Sequence, residues 1–268
     1  DETKYRRPSN TVDMILLTVL KGKLKVLLVK RKDHPFIHDW AMPGGFVNFD
    51  EDLDTAMKRE LEEETNLFDS TYFRQLYTFG NADRDPRTRV ITTVYLSMTP
   101  AENIKMTSAG DDAMDTGWFT IQKITTTTDG HERKSVLMLD EEEKGIHLRY
   151  EIYDTACDNY VQTRSKLLDS SNAKLAADHI KAINMAIDVV RNRAASTGIM
   201  FNLLPKECTL REIQEVYEAI VNHPVDTGNF RRDIKKMLVA TGNTTIVNGR
   251  KVATYSFNPL LPFVKETL

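Results

Sequence analysis

Cysteine and long apolar runs are both scarce in this 268-residue chain. The two cysteines, Cys157 and Cys208, form neither a metal-binding nor a redox spacing, which argues against a disulfide scaffold and a cysteine zinc cluster. The apolar stretch over residues 14–29 is interrupted by Lys21-Gly22-Lys23 and is too short on either side to span a bilayer. With no visible signal peptide, these absences predict reduced cysteines, no membrane partner and a cytoplasmic location.

A strong net charge is also missing, since the formal charge is −3 at neutral pH. The chain as a whole therefore shows no general preference for nucleic acid. The charges are unevenly distributed, however: residues from 190 onward carry 11 Lys and Arg against 7 Asp and Glu, and the remainder carries 25 against 32. The length of the chain suggests one large or two small domains, and the asymmetry indicates an acidic half and a basic, partner-binding tail.

Three carboxylates, Glu60, Glu63 and Glu64, fall at positions i, i+3 and i+4 of a helix predicted over residues 52–65. Residues at these offsets share one helical face, where like charges repel and destabilise an isolated helix. A cation between the carboxylates would offset that repulsion, and a ligand set made only of carboxylates suits Mg²⁺ or Mn²⁺ better than Zn²⁺. The pattern thus predicts a metal site rather than a solvated acidic helix.

The same segment resembles the Nudix box, the signature of the Nudix hydrolases. That signature is Gly, five residues, Glu, seven residues, then Arg-Glu-apolar-x-Glu-Glu-x-Gly-apolar. The last glycine is replaced by Asn66, the next most tolerant residue for the left-handed conformation that ends a helix, so we expect little cost. The positions that match in register are Gly45, Glu51, Arg59, Glu60, Leu61, Glu63, Glu64 and Leu67.

The resemblance implies a Nudix α/β/α sandwich with a mixed sheet, which hydrolyses a nucleoside diphosphate linked to another moiety. The backbone carbonyl of Gly44 or Gly45 would help to hold the metal, Arg59 would orient a glutamate of the helix, and Glu51 would support the loop. The implied catalytic set is Arg59, Glu60, Glu63 and Glu64, of which the three glutamates, with Gly45, would ligate Mg²⁺ or Mn²⁺. A general base is not singled out among Asp111, Asp112, Glu141, Glu142 and Glu143.

The segment Asp83-Arg84-Asp85-Pro86-Arg87 resembles a stretch of Nudix proteins that act on ADP-ribose and related NAD metabolites. Arg84 and Arg87 would then bind phosphate or ribose as planar donors, together with the backbone at Gly44. The alternative is a rigid loop that is held by an Asp–Arg pair. Both interpretations stay open at the level of sequence.

After residue 197 the pattern becomes that of a winged helix. Thr209, with Glu212 three residues later, predicts a capping box in front of a helix over residues 210–221. A basic helix is predicted over residues 229–238. Asn248-Gly249 is the strongest short hairpin signal and joins predicted strands over residues 244–247 and 251–257.

A Nudix domain followed by a winged helix resembles the Nudix-related transcriptional regulators of NAD metabolism. In that family ADP-ribose binding changes the affinity for operator DNA, and dimers read paired half-sites, so a homodimer is implied. The predicted domains are residues 1–197 and 198–268, with residues 125–170 as an insert atypical of the family. The implied DNA-binding residues are Asn229, Arg231, Arg232, Lys235, Lys236 and Arg250. The alternative is a solvated basic helix in a domain that only packs on its neighbour.

Two functions follow from these resemblances. The intact carboxylate cluster of the box favours metal-dependent hydrolysis of ADP-ribose to AMP and ribose 5-phosphate, and leaves open whether the chain also binds DNA. The basic helix favours an ADP-ribose-sensing transcriptional regulator without significant turnover. The two functions do not exclude each other.

Apolar periodicity predicts the remaining elements. Residues 14–20 and 25–30 should form a hairpin, residues 175–194 an amphipathic helix, and residues 148–153 and 159–163 a second hairpin. Further strands are expected over residues 72–79, 88–98 and 115–120.

Overall fold

The computed structural model describes residues 7–65, 72–104, 113–158 and 160–258. Its strands are β1 (Ser9–Leu20), β2 (Lys23–Arg31), β3 (Trp40–Ala41), β4 (Gly44–Phe46), β5 (Tyr72–Phe79), β6 (Val90–Met98), β7 (Ala113–Asp129), β8 (Glu132–Glu141), β9 (Ile146–Cys157), β10 (Tyr160–Leu167), β11 (Leu238–Val247) and β12 (Arg250–Phe257). Its helices are α1 (Leu53–Thr65), α2 (His179–Ala194), α3 (Leu210–Val221) and α4 (Thr227–Ile234). Short 3₁₀ turns cover Ala101–Asn103, Gly198–Leu203 and Lys235–Met237.

One mixed sheet dominates the first part of the chain. Within the described residues it has ten strands, in the order β10-β9-β8-β7-β2-β1-β6-β5, with β3 beside β2 and β4 beside β1. The pairing of β1 with β6 is parallel, and the other pairs are antiparallel. The predicted hairpin of β1 and β2, which turns at Lys21 and Gly22 with positive φ at both, is confirmed.

Helices cover both faces of this sheet. Successive side chains of β1 point to opposite faces, so β1 contributes to the core on each side. Val12, Met14 and Leu16 pack in the cluster that includes the buried face of α1. Ile15 and Leu17 belong to the larger cluster that includes α2. The result is the predicted α/β/α arrangement, in which α1 packs next to β4.

The C-terminal part forms a winged helix from α3, α4 and the β11–β12 hairpin. The Thr209–Glu212 capping box is present, and the hairpin turns at Asn248 and Gly249, which both have positive φ. Its core is continuous with that of the sheet, since Ile213 and Phe230 share one cluster with Ile183 of α2. The predicted fold class is therefore confirmed in both parts.

Two predicted helices have different ends in the structure. The helix predicted over residues 175–194 begins at His179, because Trp40 holds the preceding segment extended. The Trp40 N–H donates to the Lys174 carbonyl at 3.0 Å, and the Ala176 N–H donates to the Trp40 carbonyl at 2.8 Å. The helix predicted over residues 229–238 instead runs Thr227–Ile234, with Asp226 accepting from the Asn229 N–H at its start.

Residues 125–170 extend the main sheet rather than forming a separate unit. The predicted hairpin is confirmed by β9 and β10, and the short strand predicted over residues 115–120 belongs to the longer β7. β7 and β8 hold α2 through Asp188, which accepts from Lys123 Nζ at 2.6 Å and from Arg133 Nη2 at 2.9 Å.

Neither cysteine is in a disulfide, with Cys208 buried and Cys157 partly buried. Among the described helices, none is long and apolar enough to cross a membrane.

Candidate functional site

A cleft of about 810 Å³ lies between the Nudix-box segment, the β5–β6 loop, the loop after β2 and the first residues of α2. Its wall brings together basic and acidic side chains. The basic ones are Lys30, Arg31, Lys32, Arg59, Arg84 and Arg87, and the acidic ones are Asp13, Asp33, Glu60, Glu63, Glu64 and Asp85. A cleft with both signs can hold an anionic ligand and a cation side by side.

The helix α1 places the three predicted metal ligands on this wall. Glu60 lies on the buried stripe of the helix, next to Leu61, whereas the Glu63 side chain is 58% exposed. Burial raises the pKa of Glu60, while the adjacent Arg59 guanidinium opposes that rise. A cation near Glu60 would therefore offset a real electrostatic cost.

The Glu60 carboxylate occupies the space that a side chain at residue 45 would need, so this position requires glycine. A Cβ at residue 45 would lie 2.1 Å from Glu60 Oε1, far inside van der Waals contact. Gly44, the neighbouring residue, adopts φ +152° and packs its Cα against the β1 backbone, where a Cβ would lie 2.2 Å from the Val12 carbonyl oxygen. Gly45 of the box and Gly44 before it are therefore required for close packing on both sides of β4.

Arg59 organises the acidic residues of the box. Its Nη2 and Nε donate to the two carboxylate oxygens of Glu51, at 2.7 and 3.2 Å, and Nη2 also donates to the Phe46 carbonyl. Its Nη1 donates to Glu60 Oε1 at 2.7 Å and to Glu63 Oε2 at 3.3 Å. An orienting role for Arg59 and a loop-supporting role for Glu51 would use these contacts, and both roles stay predictions.

The donor chemistry of this wall fits a hard divalent cation, because Glu60, Glu63 and Glu64 offer carboxylate oxygens from one helical face. Among the residues that the structure describes, no three Asp, Glu, His or Cys side chains converge as a metal-binding group. Arg59 Nη1 bridges one carboxylate oxygen of Glu60 and one of Glu63. Ligation by all three glutamates stays a prediction.

The Glu51–Arg59 pair predicts a specific pH dependence of stability. The hydrogen bond from Arg59, followed by that from the Asn48 backbone, lowers the pKa of Glu51 from 4.5 to about 2. The pair therefore stabilises the fold above pH 4.5, and this contribution is lost as the pH falls from 4.5 toward about 2. In Glu51→Gln the melting temperature should be lower than that of the parent at neutral pH, and the gap should close in acid.

Thermal melts of the parent and E51Q across this pH range would measure the gap. Glu62→Gln, which changes an exposed glutamate of the same helix, should follow the parent at every pH. A gap between parent and E51Q that is the same at all pH values would show that Glu51 does not stabilise the fold through its charge.

Gly45→Ala should disrupt the box locally. The added methyl group must displace the Glu60 carboxylate, so we expect a loss of about 1–3 kcal/mol in the free energy of unfolding, together with weaker Mg²⁺ binding. Gly80→Ala is the matched control, since a Cβ at residue 80 meets its nearest neighbours at 3.9 Å. Denaturant titration and calorimetry with Mg²⁺ measure both effects, and a G45A variant as stable as G80A would contradict the packing argument.

The two predicted substrate arginines both line the cleft and both have aspartate partners. Arg87 donates to Asp85 through Nη2 at 2.8 Å and Nε at 3.1 Å, which lowers the pKa of Asp85. Arg84 donates to Asp178, just before α2, through Nη2 at 2.9 Å and Nε at 3.3 Å. The Arg84 side chain is 7% exposed and Arg87 is 46% exposed. The ion-paired loop is thus present, and phosphate binding by the same arginines stays a prediction.

Two cleft residues were not predicted from the sequence. Asp13 of β1 accepts from Thr92 Oγ1 at 2.6 Å and lies 3.9 Å from Arg84 Nη2. His179 is buried, and its Nδ1 accepts from the Met42 N–H at 2.9 Å, which places the proton of the neutral ring on Nε2. Burial lowers the pKa of His179 and favours that neutral form.

The other predicted positions either lie outside the described residues or are absent from the lining of this cleft. Asn66, Leu67, Asp111 and Asp112 lie outside the described residues. The remaining general-base candidates, Glu141, Glu142 and Glu143, are absent from the lining of the cleft. Glu141 is buried, and Glu142 pairs with Lys23 at 2.5 Å.

A second candidate surface lies on the winged helix. Asn229, Arg231 and Arg232 lie on α4, and Lys235 and Lys236 lie on the 3₁₀ turn that follows it. Arg250 begins β12, beside the tip of the hairpin. All six predicted DNA-binding residues are exposed, while Phe230 and Ile234 bury the opposite side of the helix. This arrangement leaves the basic side chains accessible to a polyanion.

Comparisons with known proteins identify matches for both parts. The NUDIX domain model matches residues 9–139, and the NrtR DNA-binding winged helix domain model matches residues 200–257. The chain is 27% identical over 260 residues to the ADPR responsive transcriptional repressor NtrR of Acinetobacter baylyi. This alignment covers 96% of this chain and 84% of the relative.

Two further proteins are similar. The ADP-ribose pyrophosphatase of Methanocaldococcus jannaschii is 35% identical over 136 residues, which is 50% of this chain and 76% of that protein. The crystal structure of Shewanella oneidensis NrtR in complex with a 27mer DNA superposes with a TM-score of 0.65 at 26% identity, over 93% of each chain.

Proposed function

Because this chain belongs to the Nudix family and carries an NrtR-type DNA-binding winged helix, we propose that it binds ADP-ribose in the cleft and that this binding changes its affinity for operator DNA. The observation that carries the proposal is the continuous core that joins the Nudix cleft to the winged helix through α2. The likeness to an ADP-ribose-responsive repressor along almost the whole chain supports the same function.

The cleft offers hydrogen-bonding groups for the polar parts of this ligand. Arg84 and Arg87, with the backbone at Gly44, would bind the diphosphate and the adjoining ribose. Asp13 and the Nε2–H of His179 offer a hydrogen-bond acceptor and a neutral donor on the same wall. DNA would contact Asn229, Arg231, Arg232, Lys235, Lys236 and Arg250, and a homodimer would present two such surfaces to paired half-sites.

Hydrolysis of ADP-ribose to AMP and ribose 5-phosphate is the second candidate function. The intact Arg59, Glu60, Glu63 and Glu64 of the box favour it, as does the likeness to an ADP-ribose pyrophosphatase. Glu60, Glu63 and Glu64, with the carbonyl of Gly45, would hold Mg²⁺ or Mn²⁺. The bound metal would supply charge neutralisation and an activated water, while Arg59 keeps Glu60 in place and Arg84 and Arg87 fix the diphosphate.

Calorimetry with ADP-ribose, followed by chromatography of the reaction mixture, tests both functions. We expect ADP-ribose to bind, with or without release of AMP. If AMP is released only with a divalent metal and the release stops with a chelator, the protein also hydrolyses ADP-ribose. Binding without release would identify the cleft as a sensor. If ADP-ribose is neither bound nor cleaved, the assignment of ADP-ribose as the ligand is wrong. A panel of other nucleoside diphosphates would then be needed.

The proposed domain boundary lies at residue 197, in front of the 3₁₀ turn Gly198–Leu203. Thr197 starts this turn by accepting from the Ile199 N–H. Strands β8, β9 and β10 belong to the first domain under this division, because they extend its sheet.

A further inference from the structure

The helix α2 contacts both the cleft and the helix α3 of the winged helix. Its first residue, His179, lines the cleft, and near its end Arg191 contacts α3 of the winged helix. With 16 residues it is about 24 Å long at 1.5 Å per residue. Nine of these residues are buried, so the helix is a continuous part of the core rather than a surface linker.

The cleft end of α2 is held by an ion pair instead of by an N-cap. Asp178 precedes the helix, and aspartate there ordinarily accepts from the N–H groups of the first turn. Here its carboxylate caps no backbone group and instead accepts two hydrogen bonds from Arg84, at 2.9 and 3.3 Å. The preceding Ala177 has φ +44°, a conformation that costs energy for a residue with a side chain.

Asp178 therefore has two alternative partners. It can pair with Arg84, as in this structure, or it can cap its own helix when Arg84 is engaged elsewhere. A diphosphate competes directly for the planar donors of Arg84, because phosphate and carboxylate accept the same bidentate hydrogen bonds. Occupation of the cleft by such a ligand would thus change the first turn of α2.

The far end of α2 is fastened to the winged helix by Arg191. Its Nε donates to the Ile220 carbonyl at 2.9 Å, in the last turn of α3, and its Nη1 donates to the Lys123 carbonyl of β7 at 3.1 Å. The carbonyls of a last turn lack partners within their own helix, so a cation there both satisfies them and complements the helix dipole. Arg191 thereby joins the sheet, α2 and α3 at one point.

The helices α3 and α4 form a braced unit beyond this point. Gln214 of α3 donates to Thr227 Oγ1 at 3.1 Å, and Glu218 accepts from the Val225 N–H at 2.9 Å. The rings of Tyr217 and Phe230 pack at 5.2 Å between centroids. Because of these contacts, a displacement of α3 should also move α4 and its exposed basic residues.

We propose that the Arg84–Asp178 ion pair senses diphosphate in the cleft, and that α2 passes the change through Arg191 to the DNA-binding helices. This inference rests on the proposed function, because it takes ADP-ribose as the ligand. The two states of this switch are Asp178 paired with Arg84 and Asp178 bonded to the first turn of α2.

Hydrogen–deuterium exchange of the full chain, with and without ADP-ribose, tests the inference. In the parent, ADP-ribose should slow exchange around α1 and the β5–β6 loop and should change exchange in α3 and α4 by about 5- to 150-fold, the usual range of allosteric coupling. In Arg191→Met the cleft should respond as in the parent, and the response in α3 and α4 should disappear. Arg211→Met is the matched control, since Arg211 of α3 pairs only with exposed Glu215 among the described contacts.

Asp178→Asn is a second variant that does not depend on Arg191. Without the charge of Asp178 the pair with Arg84 weakens, so exchange in α3 and α4 of the ligand-free variant should move toward that of the parent with ADP-ribose. Arg191→Lys should retain part of the response if R191M proves unstable.

The outcomes separate the inference from the function on which it rests. If R191M keeps the full response in α3 and α4, or if the parent shows protection in the cleft alone, the inference is wrong and ADP-ribose binding stands. If ADP-ribose protects no part of the cleft, the proposed function fails and the inference fails with it.

Discussion

For the hydrolysis proposed as the second function, Glu64→Gln should lower the rate of ADP-ribose cleavage by at least about 100-fold. Loss of a group that only hydrogen-bonds to a metal ligand costs about 10–100-fold, and loss of the ligand's own charge should cost more. Glutamine keeps the size of the side chain but not the negative charge that a divalent cation requires. DNA binding should change little, because Glu64 lies on α1 and lines the cleft, whereas the predicted DNA-binding residues lie on the winged helix. The measurement is AMP release with Mg²⁺ or Mn²⁺.

Glu62→Gln is the control for this prediction. Glu62 lies on the same helix but is exposed and does not line the cleft. Its variant should hydrolyse ADP-ribose at the parent rate. An E64Q variant that also keeps the parent rate would show that the assignment of Glu64 to the metal is wrong.

Replacement of Arg231 and Arg232 together by alanine should weaken DNA binding at least about 30-fold, because each arginine contact to a base or phosphate is worth about 1–3 kcal/mol. The dependence of the binding constant on salt should also become shallower, by about 0.9 in log–log slope for each lost phosphate contact. ADP-ribose binding should be unaffected, since neither arginine lines the cleft. Fluorescence anisotropy over a series of salt concentrations gives both quantities.

The paired control removes the same charge from another part of the molecule. Arg164 and Lys166 are exposed on β10, at the edge of the main sheet. Their double alanine variant should bind DNA like the parent. Equal losses in the two double variants would indicate a general charge effect and would contradict the placement of the interface on α4.

Elements with short-range determinants were predictable from the sequence. The capping box of Thr209 and Glu212, the turn at Asn248-Gly249 and the carboxylate face of α1 depend on residues within a few positions of each other, and the structure contains all three. The ion partners of Arg59, Glu51 and Glu60, are in the same short segment, so its pairing also depends on residues close in sequence.

Features that depend on distant contacts were not predictable in this way. The late start of α2 follows from hydrogen bonds between Trp40 and the segment before the helix. His179 enters the cleft through a contact with Met42, 137 residues away in the chain, and Asp178 reaches Arg84 across 94 residues. A single sequence contains no local signal for such pairs, so the acidic partner of Arg84 and the buried histidine emerge only from the fold.

The affinity for DNA with and without ADP-ribose tests the central claim most directly. A labelled duplex, selected by this protein from a random-sequence pool, would be titrated at one salt concentration, with and without saturating ADP-ribose. We predict that the dissociation constant changes by about 5- to 150-fold when the ligand is bound. An unchanged dissociation constant, with ADP-ribose shown by calorimetry to occupy the same protein, would contradict the account.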